Sequence, residues 1–371
     1  MSLTLQKLEL NNFRNYSHFL LDEISPLTIF IGPNAVGKTN LMEAIDLVTG
    51  INSFRNAKNE ELVVSPDIPG VVKAQVSDKS RNLDIKLVIK EGKKHYFLNE
   101  KEKRTTQIKG LIPAITFIPD DLLLIKSSNT HRRRSLDQLG SQLAPTYPAI
   151  KRDYEQILRQ KNNVLKDEVD IAFLESINDV FITCATQFFC YRLSLFNKLL
   201  PYIQEYYKDI AQRNEEITAT YTPSWMVGAS PYIELDAYNK DDIYQRIKSA
   251  VEENIYKEIA AKHTLIGPHK DEITFFINHK QAGIYGSQGQ QRSLVLAWKL
   301  AEVALVEDML QTKPILLLDD VMSELDETRR DMLTKYVRAS TQTFITTTHA
   351  SYFSSDILDT AQIVSLDYRE V

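Results

Sequence analysis

Gly32-Pro33-Asn34-Ala35-Val36-Gly37-Lys38-Thr39 follows directly on the apolar run Leu27, Ile29, Phe30, Ile31 and precedes Leu41, Ala44, Ile45 and Val48 at helical spacing. The order is strand, glycine loop, helix, and the loop matches GxxxxGK[ST]. Backbone N–H groups of such a turn, backed by a helix N-terminus, surround polyphosphate oxygens without side chains in the way. Lys38 is expected to reach the β and γ phosphates and the Thr39 hydroxyl to ligate Mg²⁺. Gly32, Asn34, Gly37, Lys38, Thr39 and Asn40 are therefore candidate nucleotide-binding residues. A chance glycine turn is the plain alternative, and the flanking strand and helix argue against it.

Composition limits the function classes around this loop. The chain has 371 residues, 43% hydrophobic and 25% charged, with a formal net charge of −5. It reads as an ordinary globular protein of two or three packing units, and any nucleic-acid surface must be local. Two cysteines, Cys184 and Cys190, support neither a disulfide framework nor a zinc site and fit a reducing, cytoplasmic setting. The most apolar later stretch, Phe181 to Leu200, carries Arg192 and Lys198, so it reads as a buried core helix and no membrane span is expected.

Outward from the loop, Leu3 to Leu10 and His18 to Leu21 read as strands. Val71 to Phe97 alternates apolar and polar residues like a small antiparallel sheet, and Leu111 to Ile118 is a further apolar strand. Lys90 to Lys109 is rich in Lys and Arg with Glu interleaved, a solvated hairpin or a phosphate-tracking one. Helical periodicity then dominates from Leu122 to Lys262, with a loop expected at Thr222 to Pro231. Strand character returns at Ile273 to Ile277. The chain continues as helix Leu294 to Met309, strand Pro314 to Asp319, helix Glu327 to Ala339, strand Thr343 to Thr347 and strand Gln362 to Leu366, an alternation that implies a parallel sheet. The expected organisation is an α/β nucleotide lobe made of residues 1–121 and 263–371, with a mainly helical domain, 122–262, inserted.

Ile315-Leu316-Leu317-Leu318 ends in Asp319-Asp320. A fully apolar strand of this kind is buried in a parallel sheet, whose C-terminal ends receive ligands. Asp319 is the expected Mg²⁺ carboxylate, directly or through water, and Asp320 the group that polarises the attacking water. Gly286-Ser287-Gln288-Gly289-Gln290-Gln291-Arg292 opens a helix with the apolar stripe Leu294, Ala297, Trp298, Ala301, Leu305. It reads as a second anion-binding surface or, more plainly, as a Ser/Gly helix cap.

At this point the chain resembles the ABC-type ATPases, whose serine and glycine signature opens a helix just upstream of the carboxylate strand. The resemblance implies that Ser287, Gly289 and Gln290 contact the γ phosphate held by another subunit. Ser323-Glu324-Leu325-Asp326 stands where that family carries its D-loop, and His349 where it carries a switch histidine able to donate to a γ oxygen.

The resemblance narrows with Leu8-Glu9-Leu10-Asn11-Asn12-Phe13-Arg14-Asn15-Tyr16, with Pro119-Asp120-Asp121 running to Arg132-Arg133-Arg134-Ser135-Leu136-Asp137, with Gly267-Pro268-His269-Lys270-Asp271, and with Leu318 to Asp326. Together these are similar to the bacterial RecF family of recombination mediator ATPases, over essentially the whole chain. Ser127-Ser128-Asn129-Thr130 departs from the glycine- and proline-containing turn usual there. The resemblance implies an ABC-type, Rad50/SMC-like ATPase head with a mixed or parallel sheet around the loop. Arg14 and Asn15 would lie near the nucleotide, and ATP and Mg²⁺ would be the ligands. It further implies an ATP-dependent homodimer that binds double-stranded DNA and single/double-strand junctions at gaps, with RecR as partner alongside RecO, so that RecA loads. DNA replication, recombination and the SOS response are the implied setting.

Asp320 is one bond shorter than the Glu usual in transporters, so slow hydrolysis is expected. A DNA-organising Rad50/SMC-like ATPase is the alternative, but the helical middle is short and Pro-interrupted and holds no Cys-x-x-Cys. The soluble ATPase subunit of a transporter is a second alternative; it predicts a membrane-domain partner and Glu and glutamine landmarks that this sequence does not carry. His131-Arg132-Arg133-Arg134 reads either as a DNA-phosphate contact or as a paired structural turn. Positive charge at a helix start opposes the dipole and favours pairing.

Overall fold

The computed structural model describes residues 3–50, 53–55, 57–78, 80–167, 169–211, 215–226, 239–339 and 342–367. The chain divides into two compact units, Met1–Leu123 with Trp298–Val371, and Leu124–Ala297.

The first unit holds two sheets. One is five-stranded and parallel, in the order Gln362–Ser365, Leu27–Ile31, Thr343–Thr347, Ile315–Asp319, Ala114–Phe117. Ile315 to Asp319 is buried at every position because a neighbour lies on each side and both faces are covered. Register sets Asp319 opposite Thr346 and Thr347 opposite Ile31, so the C-terminal ends of the three central strands converge. The other sheet is antiparallel, in the order Tyr16–Leu21, Thr4–Phe13, Gly70–Ser77, Asn82–Lys90, Lys93–Leu98, Lys101–Lys103. Val72, Ala74, Val76 and Ile85, Leu87, Ile89 face the core while Lys73 and Gln75 do not, the alternation of a sheet with one solvated face. The lysine-rich stretch from Lys90 thus forms its outer hairpins.

The helix Lys38–Thr49 packs against strands of both sheets and stops at Gly50, whose N–H bonds Asp46 O at 2.6 Å. Leu41, Met42, Ile45 and Leu47 are fully buried in it. Truncating any one to Ala costs roughly 2–5 kcal/mol, so the loop stands on a rigid base.

The second unit contains the helices Asn129–Leu143, Tyr147–Val164, Ile171–Ala211 and Lys240–Ala261. The core helix expected at Phe181 to Leu200 is the middle of the 41-residue Ile171–Ala211, with Pro201 inside it. One strand lies where only helical periodicity was read. Ile217–Thr222 pairs antiparallel with Glu272–Ile277, from Ile217 opposite Ile277 to Thr222 opposite Glu272. That pairing draws the strand at Ile273 away from the nucleotide sheet, and the division expected at 262/263 falls instead between Ala297 and Trp298. The loop expected at Thr222 to Pro231 begins with the short turn Ser224–Met226, and its remainder lies outside the described residues. Cys184 and Cys190 are free thiols. Among the described residues no helix is long and apolar enough to cross a membrane.

Candidate functional site

A cleft of about 500 Å³ opens at the convergent strand ends of the first unit, lined by Arg14, Asn15, Asn34, Ala35, Gly37, Lys38, Thr39, Asn40, Arg55, Glu61 and Asp320. Gly37 caps the helix Lys38–Thr49 in the left-handed region, φ 108°, and a Cβ there would lie 2.6 Å from Asn15 Nδ2 and 2.7 Å from the Tyr16 hydroxyl. Only glycine fits. Asn15 braces the loop, donating to Val36 O at 3.3 Å and accepting from Asn40 Nδ2 at 2.6 Å. The Lys38 ammonium donates to the carbonyls of Gly32 and Pro33 at 2.7 and 2.8 Å. Burial lowers its pKa, and the nearby Asp320 and Asp319 act against that.

Thr39 and Asp319 meet across the sheet: Thr39 Oγ1 donates to Asp319 Oδ1 at 3.1 Å. The same oxygen accepts from Thr346 Oγ1 at 2.7 Å. Burial raises the pKa of Asp319 and of Asp320, and Lys38 opposes the shift at Asp320. Asp320 Oδ1 is buried with no hydrogen-bond partner among the described residues. An unpartnered carboxylate oxygen at the cleft is the donor-set signature of a group that meets a ligand or a water.

Magnesium fits this arrangement. It takes hard oxygen ligands, commonly one or two from protein and the rest from water and phosphate, and Thr39 with Asp319 supplies that share. No cluster of three or more His, Cys, Asp or Glu side chains able to hold a metal occurs among the described residues, so phosphate oxygens would complete the shell.

Arg14 sits at φ 53° in the turn after Thr4–Phe13 and is fixed by a two-pronged pair with the fully buried Glu43: Nε to Oε2 at 2.7 Å, Nη2 to Oε1 at 2.9 Å. Its Nη1 donates to Glu61 O at 2.8 Å, and Ser53 donates a short bond to Glu43. Arg55 reaches Asn40 Oδ1 at 3.0 Å. Glu43, Arg55 and Glu61 escaped the sequence reading. Glu43 is one of two buried carboxylates in the helix Lys38–Thr49, with Asp46, and its spacing carries no signal that sets it apart.

Of the expected residues, Arg14, Asn15, Asn34, Gly37, Lys38, Thr39, Asn40 and Asp320 line the cleft, with Gly32 and Asp319 hydrogen-bonded to members of that set. His349 is exposed, two residues beyond its strand and outside the lining, its ring 6.1 Å from that of Tyr352. Ser287, Gly289 and Gln290 belong to the second unit. There Ser287 and Gln290 form a reciprocal cap at the start of the helix Gln288–Leu310, Ser287 N to Gln290 Oε1 at 2.8 Å and Gln290 N to Ser287 Oγ at 3.2 Å. The plainer reading of that stretch thus describes its geometry, and Ser287 stays exposed.

Within the arginine run, Arg132 and Arg133 are held by the second unit itself. Arg132 donates to the carbonyls of Leu124, Ile125 and Ser127, and Arg133 to Asp271 O at 2.5 Å. Asp137, at the end of the same stretch, pairs with the buried Arg192 at 2.9 Å, and Arg192 also donates to Pro268 O at 2.6 Å. Two stretches quoted for the family resemblance are thereby joined.

The RecF/RecN/SMC N-terminal domain family model matches residues 4–367. The chain is 35% identical over 368 residues to the DNA replication and repair protein RecF of Heliobacterium modesticaldum, covering 97% of this chain and 96% of that protein. It is 37% identical over 363 residues to that of Lactobacillus acidophilus, covering 95% and 94%. A solved structure of the recombination mediator protein RecF-ATP in the RecFOR pathway is similar, with TM-score 0.85, 28% identity and coverage of 95% and 94%. The Smc head domain of Pyrococcus furiosus shares the fold at TM-score 0.52 and 16% identity, covering 99% and 94%. The fold is that of an ABC/SMC-like ATPase head.

Proposed function

The chain belongs to the RecF family of DNA replication and repair proteins, and on that premise we propose that it is an ATP-binding repair protein working as an ATP-gated homodimeric switch on DNA. The observation that carries the nucleotide part is the 3.1 Å contact between Thr39 and Asp319 beside Lys38 and the unpartnered Asp320 oxygen. The loop amides at the start of Lys38–Thr49 bind phosphate oxygens, and Lys38 exchanges its two carbonyl partners for the β and γ phosphates. Thr39 and Asp319 hold Mg²⁺, which when bound neutralises charge developing on the phosphates. Asp320, its pKa raised by burial, accepts a proton from water aligned on the γ phosphate. A carboxylate one bond shorter than Glu suits a slow, weak ATPase. Arg14, locked against Glu43, and Asn15 flank the nucleotide.

Ser287, Gly289 and Gln290 of a second copy complete the site, and His349 senses the γ phosphate on closure. Ser287 is exposed and hence accessible to another chain, which supports this reading. Closure forms the surface that holds double-stranded DNA and gapped single/double-strand junctions in the cytoplasm. The RecF structure of the RecFOR pathway supports RecR and RecO as partners, with RecA loaded as the outcome. The test is retention of a duplex with a single-stranded overhang, with and without ATP, for wild type and Lys38→Met. Retention is expected only for wild type with ATP. Equal retention without ATP overturns the switch.

A further inference from the structure

Thr346 lies opposite Asp319 in the parallel register and is fully buried. Its hydroxyl has two partners. As donor, Oγ1 reaches Asp319 Oδ1 at 2.7 Å; as acceptor, it takes the N–H of Asp320 at 2.9 Å. One hydrogen and two lone pairs make the roles compatible, and together they fix the hydroxyl. The carbonyl of Asp320 is held as well, by Ser323 Oγ at 2.7 Å.

These contacts clamp Asp320 at φ 51°, ψ 22°, a left-handed conformation that an L-residue adopts at a cost. Aspartate tolerates it better than longer side chains, and such strain persists only where its surroundings enforce it. The backbone turn that aims the Asp320 carboxylate therefore depends on a hydroxyl from the adjacent strand.

We propose that Thr346 is a positioning residue for nucleotide hydrolysis, its single hydroxyl setting both the orientation of the Asp319 carboxylate and the turn that carries Asp320. The inference rests on the nucleotide reading above. Thr39 also donates to Asp319, but it stands in the first turn of the helix Lys38–Thr49 and makes no hydrogen bond to the Asp320 backbone. Among the described residues, Thr346 is the side chain whose hydroxyl bonds both the Asp319 carboxylate and the Asp320 backbone.

The test compares Thr346→Val, which keeps the volume and β-branching but lacks the hydroxyl, with Thr346→Ser, which keeps the hydroxyl. In the absence of nucleotide, hydrogen exchange of the segment 317–322 should be roughly tenfold faster in Thr346→Val than in wild type or Thr346→Ser. With ATP and Mg²⁺, Thr346→Val should lose about 10- to 100-fold in kcat and need more Mg²⁺ for half-maximal turnover, with ATP affinity within about threefold of wild type. Thr346→Ser should recover most of the rate. Wild-type exchange and turnover in Thr346→Val overturn the proposal and leave the nucleotide reading intact. Equal impairment of the two variants assigns the effect to packing and also overturns it. A wild type that neither binds nor hydrolyses ATP removes the nucleotide reading and the role of Thr346 with it. If Thr346→Val fails to fold, Thr346→Ala against Thr346→Ser makes the same comparison.

Discussion

Thr39 Oγ1 donates to Asp319 Oδ1 at 3.1 Å, although 280 residues separate them in the chain. The two belong to elements that the parallel sheet gathers at one end: the helix Lys38–Thr49 that follows the strand Leu27–Ile31, and the strand Ile315–Asp319, with Thr343–Thr347 between the two strands. The contact turns a phosphate-binding turn and a carboxylate strand into one site. The nucleotide chemistry proposed for this chain follows from that meeting.

Lys38→Met should weaken ATP binding about 100-fold, the equivalent of a charged hydrogen bond worth roughly 3 kcal/mol. Titration with a fluorescent ATP analogue measures it. Unchanged affinity would mean that the ammonium held between Gly32 and Pro33 never leaves their carbonyls.

Glu43→Gln should destabilise the fold by about 3 kcal/mol, because a buried pair that loses one partner leaves the other charge uncompensated. Among the described residues, the Arg14 guanidinium then keeps the carbonyl of Glu61 and whatever the amide offers. Urea unfolding is the measurement, and a loss below about 0.5 kcal/mol, as for an exposed pair, contradicts the structural weight given to Glu43.

His269 carries a pH signature. Its Nε2 lies 3.3 Å from Thr264 O, which can only accept, so Nε2 bears the hydrogen and Nδ1 accepts from Tyr154 Oη at 2.6 Å. Burial first, then the charges of Lys270, Arg133 and Lys161, push its pKa down to about 4 from the usual 6.5, against the Thr264 carbonyl. As pH falls, the unfolded chain takes up the proton first, so this contribution to stability is present above about 6.5 and lost toward about 4. Wild type should therefore lose stability relative to His269→Gln across that window in urea unfolding at several pH values. A constant difference between the two would show that the ring titrates normally.

Asp320→Asn should slow hydrolysis and lengthen the lifetime of ATP-dependent dimers, read by single-turnover kinetics and by dissociation after dilution. Faster turnover would rule out Asp320 as the base.

Legibility followed the range of the interactions. Gly32 to Thr39, the all-apolar Ile315 to Leu318 and the helix stop at Gly50 are local patterns, and each stands where its spacing implied. Ile217–Thr222 was hidden because a six-residue strand among long helices gains its identity only from a partner at Glu272–Ile277. Its Ile, Thr and Tyr content was the available signal. Glu43 read as one more helical residue, since nothing in a linear pattern announces that every side of a helix is covered. Arg55 and Thr346 belong to the site through tertiary contacts alone, which spacing along the chain does not express. The stretch around Ser287 and Gly289 shows the reverse: its local pattern admits an anion-binding surface or a helix cap, and a cap closed by Ser287 and Gln290 is what stands at the helix start.

Light scattering of the purified chain with and without saturating ATP and Mg²⁺, for wild type and Ser287→Arg, tests the dimer switch most directly. Wild type should move from 42.6 kDa to twice that mass with ATP, while Ser287→Arg binds nucleotide and remains a monomer. Wild type that stays at the monomer mass under saturating ATP would contradict the account.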